Sequence, residues 1–200
     1  MKNKVLKLVA ATVLALGCHV PASASTVTLF TDDFNRANSN TVGNGWTESG
    51  GVSSVDVAIA ENMLRLRHPN ATATQAVMST VGYTDITLDI TWAGLPDSEP
   101  LDELFVEWRN TANGAWTRAA TLSMGSTSFQ SRTIQLTGAD SSALFQFRLF
   151  GDASRADEDE GALVDVVTLN GVVASASVPE PSSLLLLLGA GLALATTRRR

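Results

Sequence analysis

The sequence predicts an all-β domain, an antiparallel β-sandwich or barrel. Three observations carry that reading. Apolar residues recur with a period of two, turn residues break the runs at short intervals, and no amphipathic helix of three turns stands out before residue 182. The clearest run is Tyr83 to Trp92. It places Ile86, Leu88, Ile90 and Trp92 on one face and Asp85, Thr87, Asp89 and Thr91 on the other. Leu104 to Arg109 turns Leu104, Val106 and Trp108 to one side, and Leu144 to Leu149 turns Phe145, Phe147 and Leu149 inward. Similar short runs are expected at Val27–Phe30, Val55–Ala60, Met63–Arg67, Gln75–Ser79, Arg118–Leu122, Arg132–Leu136 and Leu163–Leu169. Between them stand turn signals: Gly43-Asn44-Gly45, His68-Pro69-Asn70, Leu95-Pro96-Asp97, Asn113-Gly114, Gly138-Ala139-Asp140 and Asn170-Gly171.

The two ends of the chain read as processing signals. Lys2, Lys4 and Lys7 precede an apolar stretch from Leu8 to Val20, and Ala22-Ser23-Ala24 follows. A basic start, an apolar middle and an A-x-A triplet make a secretory signal peptide over residues 1–24. Signal peptidase cleavage is expected after Ala24, with Ala22 and Ala24 as the small flanking residues. A second reading is lipoprotein processing at Cys18, although Ala15-Leu16-Gly17-Cys18 swaps the usual order of Leu and small residue. Cleavage after Ala24 removes the only cysteine, so the exported chain is expected to fold without a disulfide. At the other end, Pro179-Glu180-Pro181 is followed by an apolar run from Leu184 and then by Arg198, Arg199 and Arg200. A helix over residues 184–197 spans about 21 Å, short of a hydrocarbon core of about 30 Å. The three arginines mark the cytoplasmic side. This order closely resembles the PEP-CTERM sorting signal of Gram-negative bacteria. The resemblance implies recognition of Pro179, Glu180 and Pro181 by an exosortase, a transient stay in the inner membrane, and delivery to the cell surface or extracellular matrix. Residues 174–178 read as a small-residue linker.

Residues 25–178 hold eight arginines, no lysine and nineteen acidic residues, a formal charge of −11. Such a domain is not a nucleic-acid binder, because phosphates need a basic surface. Only His68 remains of the histidines, so Cys/His zinc sites and a cysteine nucleophile are excluded; His68 reads as a turn or surface residue. There is no Gly-x-Ser-x-Gly, no phosphate-binding loop and no lysine for a Schiff base. Glu103 and Glu107 share one side of a strand about 13 Å apart, beyond the spacing of paired glycosidase carboxylates. The acidic segment Asp152, Asp157, Glu158, Asp159 and Glu160 is not an EF-hand and reads as a solvated loop. Trp92 and Trp108 belong to buried strand faces. Trp46 and Trp116 flank glycine-rich turns and are expected to be exposed platforms for carbohydrate.

Asp33-Phe34-Asn35-Arg36 with Trp46, then Leu104-x-Val106-x-Trp108-Arg109, Asn113-Gly114-x-Trp116, Phe145-x-Phe147-Arg148 and Gly161 to Leu169 resemble MAM-like and carbohydrate-binding jelly rolls. That resemblance implies a jelly-roll sandwich over residues 25–173 whose first and last strands lie side by side. It also implies a calcium ion near those strands, for which Asp32, Asp33 and Asp165 are the expected ligands. The expected function is a non-catalytic surface or matrix module associating with exopolysaccharide. A polysaccharide-processing enzyme of the same fold and a structural or adhesion protein remain alternatives.

Overall fold

The computed structural model describes residues 25–53, 55–156 and 159–174. The signal segment, the linker from residue 175, the Pro179-Glu180-Pro181 signature, the apolar helix expected at 184–197 and Arg198 to Arg200 lie outside the described residues. So do Asp157 and Glu158 of the acidic segment.

Among the described residues there is no helix. Eleven strands run in order: β1 Thr26–Asp32, β2 Trp46–Ser49, β3 Val57–Ala60, β4 Met63–Arg67, β5 Thr72–Gln75, β6 Tyr83–Gly94, β7 Glu103–Arg109, β8 Thr117–Ser123, β9 Gln130–Gln135, β10 Gln146–Asp152 and β11 Gly161–Val173. They form two antiparallel sheets. One has the order β3-β4-β11-β6-β9, with β1 added against β11; the other is β2-β5-β10-β7-β8. β4 with β11, β5 with β10, β6 with β9 and β7 with β8 form nested antiparallel pairs. This is the connectivity of one long hairpin, with its tip between β7 and β8, rolled up into a sandwich. It is the jelly roll that the sequence resemblance implies. The first and last strands do lie side by side: Thr31 faces Thr168 and Asp32 faces Val167.

The core follows from the period-two pattern. Ile86, Leu88 and Ile90 of β6 meet Leu104, Val106, Phe147 and Leu149 of the opposite sheet in one apolar cluster. Trp92 and Trp108 are buried with them, as their strand positions predict. Three departures from the sequence reading have physical causes. β2 escapes it, because Trp46 is the only apolar side chain in four residues. β5 lies three residues before the predicted start, since its buried side chains are alanine, threonine and glutamine rather than large apolar groups. Asn170-Gly171 is not a turn: β11 runs through it, with a bulge between Asn170 and Val172 in its pairing with β6. A Cβ at Gly171 would lie 2.9 Å from Ile86 Cδ1, so only glycine fits there without displacing its neighbours.

Candidate functional site

The outer face of the β2-β5-β10-β7-β8 sheet gathers charged and aromatic side chains in register. One row crosses the sheet as Thr47, Thr74, Arg148, Glu107 and Arg118. The next holds Ser49, Thr72, Phe150, Phe105 and Thr121. On the other side Gln146 faces Arg109. These residues alternate with the core residues Val106, Trp108, Phe147 and Leu149, so strand geometry turns them away from the core, and Phe105, Glu107 and Thr72 are buried on this outer face beneath their neighbours.

Glu107 anchors the arrangement. Its carboxylate accepts hydrogen bonds from Arg148 Nε at 2.8 Å and Arg118 Nε at 3.3 Å, and Arg148 NH2 lies 2.6 Å away. The Arg118 guanidinium carbon lies over the Phe105 ring, 3.2 Å from its centroid, and Phe105 stacks on Phe150 at 5.7 Å and 11°. Trp116 is half-buried, with the guanidinium carbons of Arg109 and Arg148 at 4.2 and 4.4 Å from its ring centroid. Arg109 in turn donates to Gln146 Oε1 through Nε and NH2. Three arginines, one carboxylate and three aromatic rings thus hold one another in fixed orientations. The arrangement can stack apolar faces and donate hydrogen bonds.

Trp116 therefore sits on an outer sheet face. Trp46 does not, contrary to expectation. Its ring is 5 % exposed and packs edge-on against Phe30 and Phe147 and tilted against Phe34, with Nε1 donating to Asp32 Oδ2 at 2.8 Å. Glycines beside a tryptophan mark a tight turn, but the strand that follows carries the ring inward.

The expected calcium ligands are also redistributed. Asp32 is buried, and its carboxylate accepts from Phe34 N, Arg36 NH1, Arg36 NH2 and Trp46 Nε1. A cation at Asp32 would have to displace that guanidinium. Asp33 is exposed and accepts from Asn35 N, and Asp165 is exposed at a bulge in β11. Among the described residues no three acidic, histidine or cysteine side chains group as metal ligands. Burial pushes the Asp32 carboxyl up, but hydrogen bonds from Arg36, Phe34 N, Asn44 and Trp46 outweigh it and hold it below the ordinary carboxylate range.

His68 is buried rather than on the surface, with Nδ1 3.1 Å from Asp56 Oδ1. Burial raises Asp56 as well. His68, the backbone of Ser53 and Val52, and the Ser53 hydroxyl bring it below the ordinary range. The acidic segment is not wholly solvated: Glu160 is fully buried and accepts from Ser154 Oγ and Arg155 N.

A groove of about 270 Å³ lies on the opposite sheet, lined by Asp89, Thr91, Ser131, Thr133, Val166 and Thr168 among others. It has no aromatic ring and its hydroxyls bond one another, as Thr91 with Ser131. The arginine–aromatic face is flatter but richer in recognition chemistry, so it is the stronger candidate.

Comparison with known proteins settles the tail. Residues 177–200 match the PEP-CTERM protein-sorting motif. The chain carries that sorting signal. The PEP-CTERM motif implies export, a membrane-anchored intermediate and exosortase processing. No curated protein matches the chain. Among solved structures, one from a study of endo-acting O-glycanases of the human gut microbiota aligns at 10 % identity. It covers 74 % of this chain and 100 % of its own, with a TM-score of 0.55. The CBM22-1 xylan-binding domain of Paenibacillus barcinonensis Xyn10C aligns at 16 %, covering 78 % and 100 %, with a TM-score of 0.49. The K2 cleaved adhesin domain of Lys-gingipain aligns at 14 %, covering 70 % and 96 %, with a TM-score of 0.48. At 10 % identity the first of these shows a likeness of fold alone.

Proposed function

We propose that this is an exosortase-sorted surface or matrix protein whose β-sandwich binds exopolysaccharide without cleaving it. The observation that carries the reading is the outer face of the β2-β5-β10-β7-β8 sheet, where Trp116 and Phe150 lie among Arg109, Arg118, Arg148 and Glu107, with Phe105 buried beneath Arg118. Sugar rings have apolar faces that stack on aromatic side chains and hydroxyls that accept from arginine. Phe150 and the arginines stand on strands, and Trp116, one residue before β8, is held by Arg109 and Arg148, so the platform offers both in fixed positions. Glu107 is held between Arg148 and Arg118 as an ion pair, which suits positioning rather than proton transfer. The sorting motif supports delivery of such a module to the outside of the cell. Signal peptidase removal of residues 1–24 and exosortase action at Pro179-Glu180-Pro181 complete the route. A glycan array probed with the full chain tests the reading. Retention of at least one polysaccharide is expected, lost in Trp116→Ala. Retention by no glycan, or retention indifferent to Trp116→Ala, contradicts it, and release of sugar would favour an enzyme.

A further inference from the structure

We infer that this face takes an anionic glycan, one carrying carboxylate or sulfate groups, with Arg118 as the principal anion contact. The inference rests on the glycan-binding reading and adds the substrate class.

The distribution of cations points to it. Residues 25–178 carry eight arginines against nineteen acidic residues, yet three of the eight (Arg109, Arg118 and Arg148) meet on one sheet face; Glu107 pairs with Arg118 and Arg148, Arg109 bonds Gln146, and the other carboxylates of that face, Glu103 and Asp152, lie opposite each other beyond the Phe105–Phe150 row. A neutral chain needs no such concentration, and an acidic domain repels polyanions everywhere else. The geometry is also preorganised. Arg118 is seated over Phe105 and aligned by Glu107, while its side chain stays 48 % exposed. It directs one N–H group to Glu107, and the other four have no protein acceptor among the described residues. Arg148 donates one, from Nε, to Glu107 and sets its NH2 against the same oxygen as an ion pair. A fixed planar fork with spare donors is suited to bidentate capture of a carboxylate or sulfate. Phe150 and Trp116 both border Arg148, and Phe150 stacks on the Phe105 ring that lies under Arg118, so a sugar ring on Phe150 lies beside both charge contacts.

The experiment measures binding of the full chain, purified in mild detergent, to dextran, polygalacturonate and dextran sulfate at two salt concentrations. Tighter binding to one or both polyanions than to dextran, weakened by salt, is expected; the pair separates carboxylate from sulfate recognition. Arg118→Gln is expected to weaken polyanion binding about ten- to a hundredfold, the range for loss of hydrogen bonds to a charged group. Arg118→Lys, which keeps charge but not the fork, should fall between. Arg132→Gln removes the same charge from an exposed position on β9 of the other sheet and should change nothing. Both variants retain the basic residues at the chain ends, so those cannot account for a difference. Matched melting temperatures exclude misfolding. Binding to dextran that needs Trp116 but not Arg118 overturns the anionic inference and leaves glycan binding standing. Equal losses in Arg118→Gln and Arg132→Gln also overturn it. Binding to none of the three alongside an empty glycan array removes both readings.

Discussion

Asp32 accepts hydrogen bonds from Phe34 N, from Arg36 twice and from the Trp46 indole, and its side chain is only 2 % exposed. The carboxylate locks the end of β1 onto the turn that carries Trp46 inward. Asp32→Asn leaves Arg36 and the indole without their anion and should cost about 3 kcal/mol, read as a lower urea midpoint at neutral pH. The folded carboxyl lies below its unfolded value of about 3.9, so its contribution is present above that pH and is lost as pH falls through the folded value. Wild type and Asp32→Asn should therefore converge in stability in acid, while a constant gap from pH 7 to pH 2 would refute the linkage. The two turn tryptophans should separate cleanly. Trp46→Ala empties a packed aromatic cluster and should cost about 3–5 kcal/mol. Trp116→Ala removes two cation–π contacts near the surface and should cost about 1–2 kcal/mol. Thermal melts of both variants check this. The sequence alone treated the two residues alike, because a glycine-rich neighbourhood reveals a turn but not which way the next side chain points.

β6 was legible from Tyr83 to Trp92, since Ile86, Leu88, Ile90 and Trp92 alternate without interruption and all four are buried, while its last two residues, Ala93 and Gly94, lie beyond the alternation. The outward residues of β7 and β10 were legible in the same way, as the complement of Val106, Trp108, Phe147 and Leu149. Their meeting in one platform was not, because the pairing of β7 with β10 joins segments some forty positions apart. Bulges were the other blind spot: Asn170-Gly171 carries the composition of a turn while remaining in β11. The end of β6 shows what such close approaches demand. Gly94 N donates to Ser126 O, and a Cβ at Gly94 would lie 1.5 Å from Met124 O. Gly94→Ala must push the chain after β8 away from β6, so a melting temperature lower by several degrees is expected. An unchanged melt would mean that the two segments part without cost.

At the scale of the whole molecule, the jelly-roll wiring came from resemblance rather than periodicity. Alternation specifies strands and their inner faces, but β4 and β11 pair across about a hundred residues and nothing local encodes that choice. The sorting tail was legible outright, because its signal is linear: Pro179-Glu180-Pro181, an apolar run and terminal arginines. Processing should follow from it. Protein recovered from the cell surface should lack Arg198 to Arg200 by intact mass, and Pro179→Ala with Pro181→Ala should hold the precursor in the inner membrane. Surface protein that retains the arginines would make the tail an ordinary anchor. The central claim, however, is that the arginine–aromatic face meets the glycan. Hydroxyl-radical footprinting of the full chain, with and without a polysaccharide that it retains, tests that most directly. Trp116 and Phe150 should become protected while Val166, on the opposite sheet, reacts as before. Bound polysaccharide with Trp116 and Phe150 oxidised at unchanged rates would contradict the account.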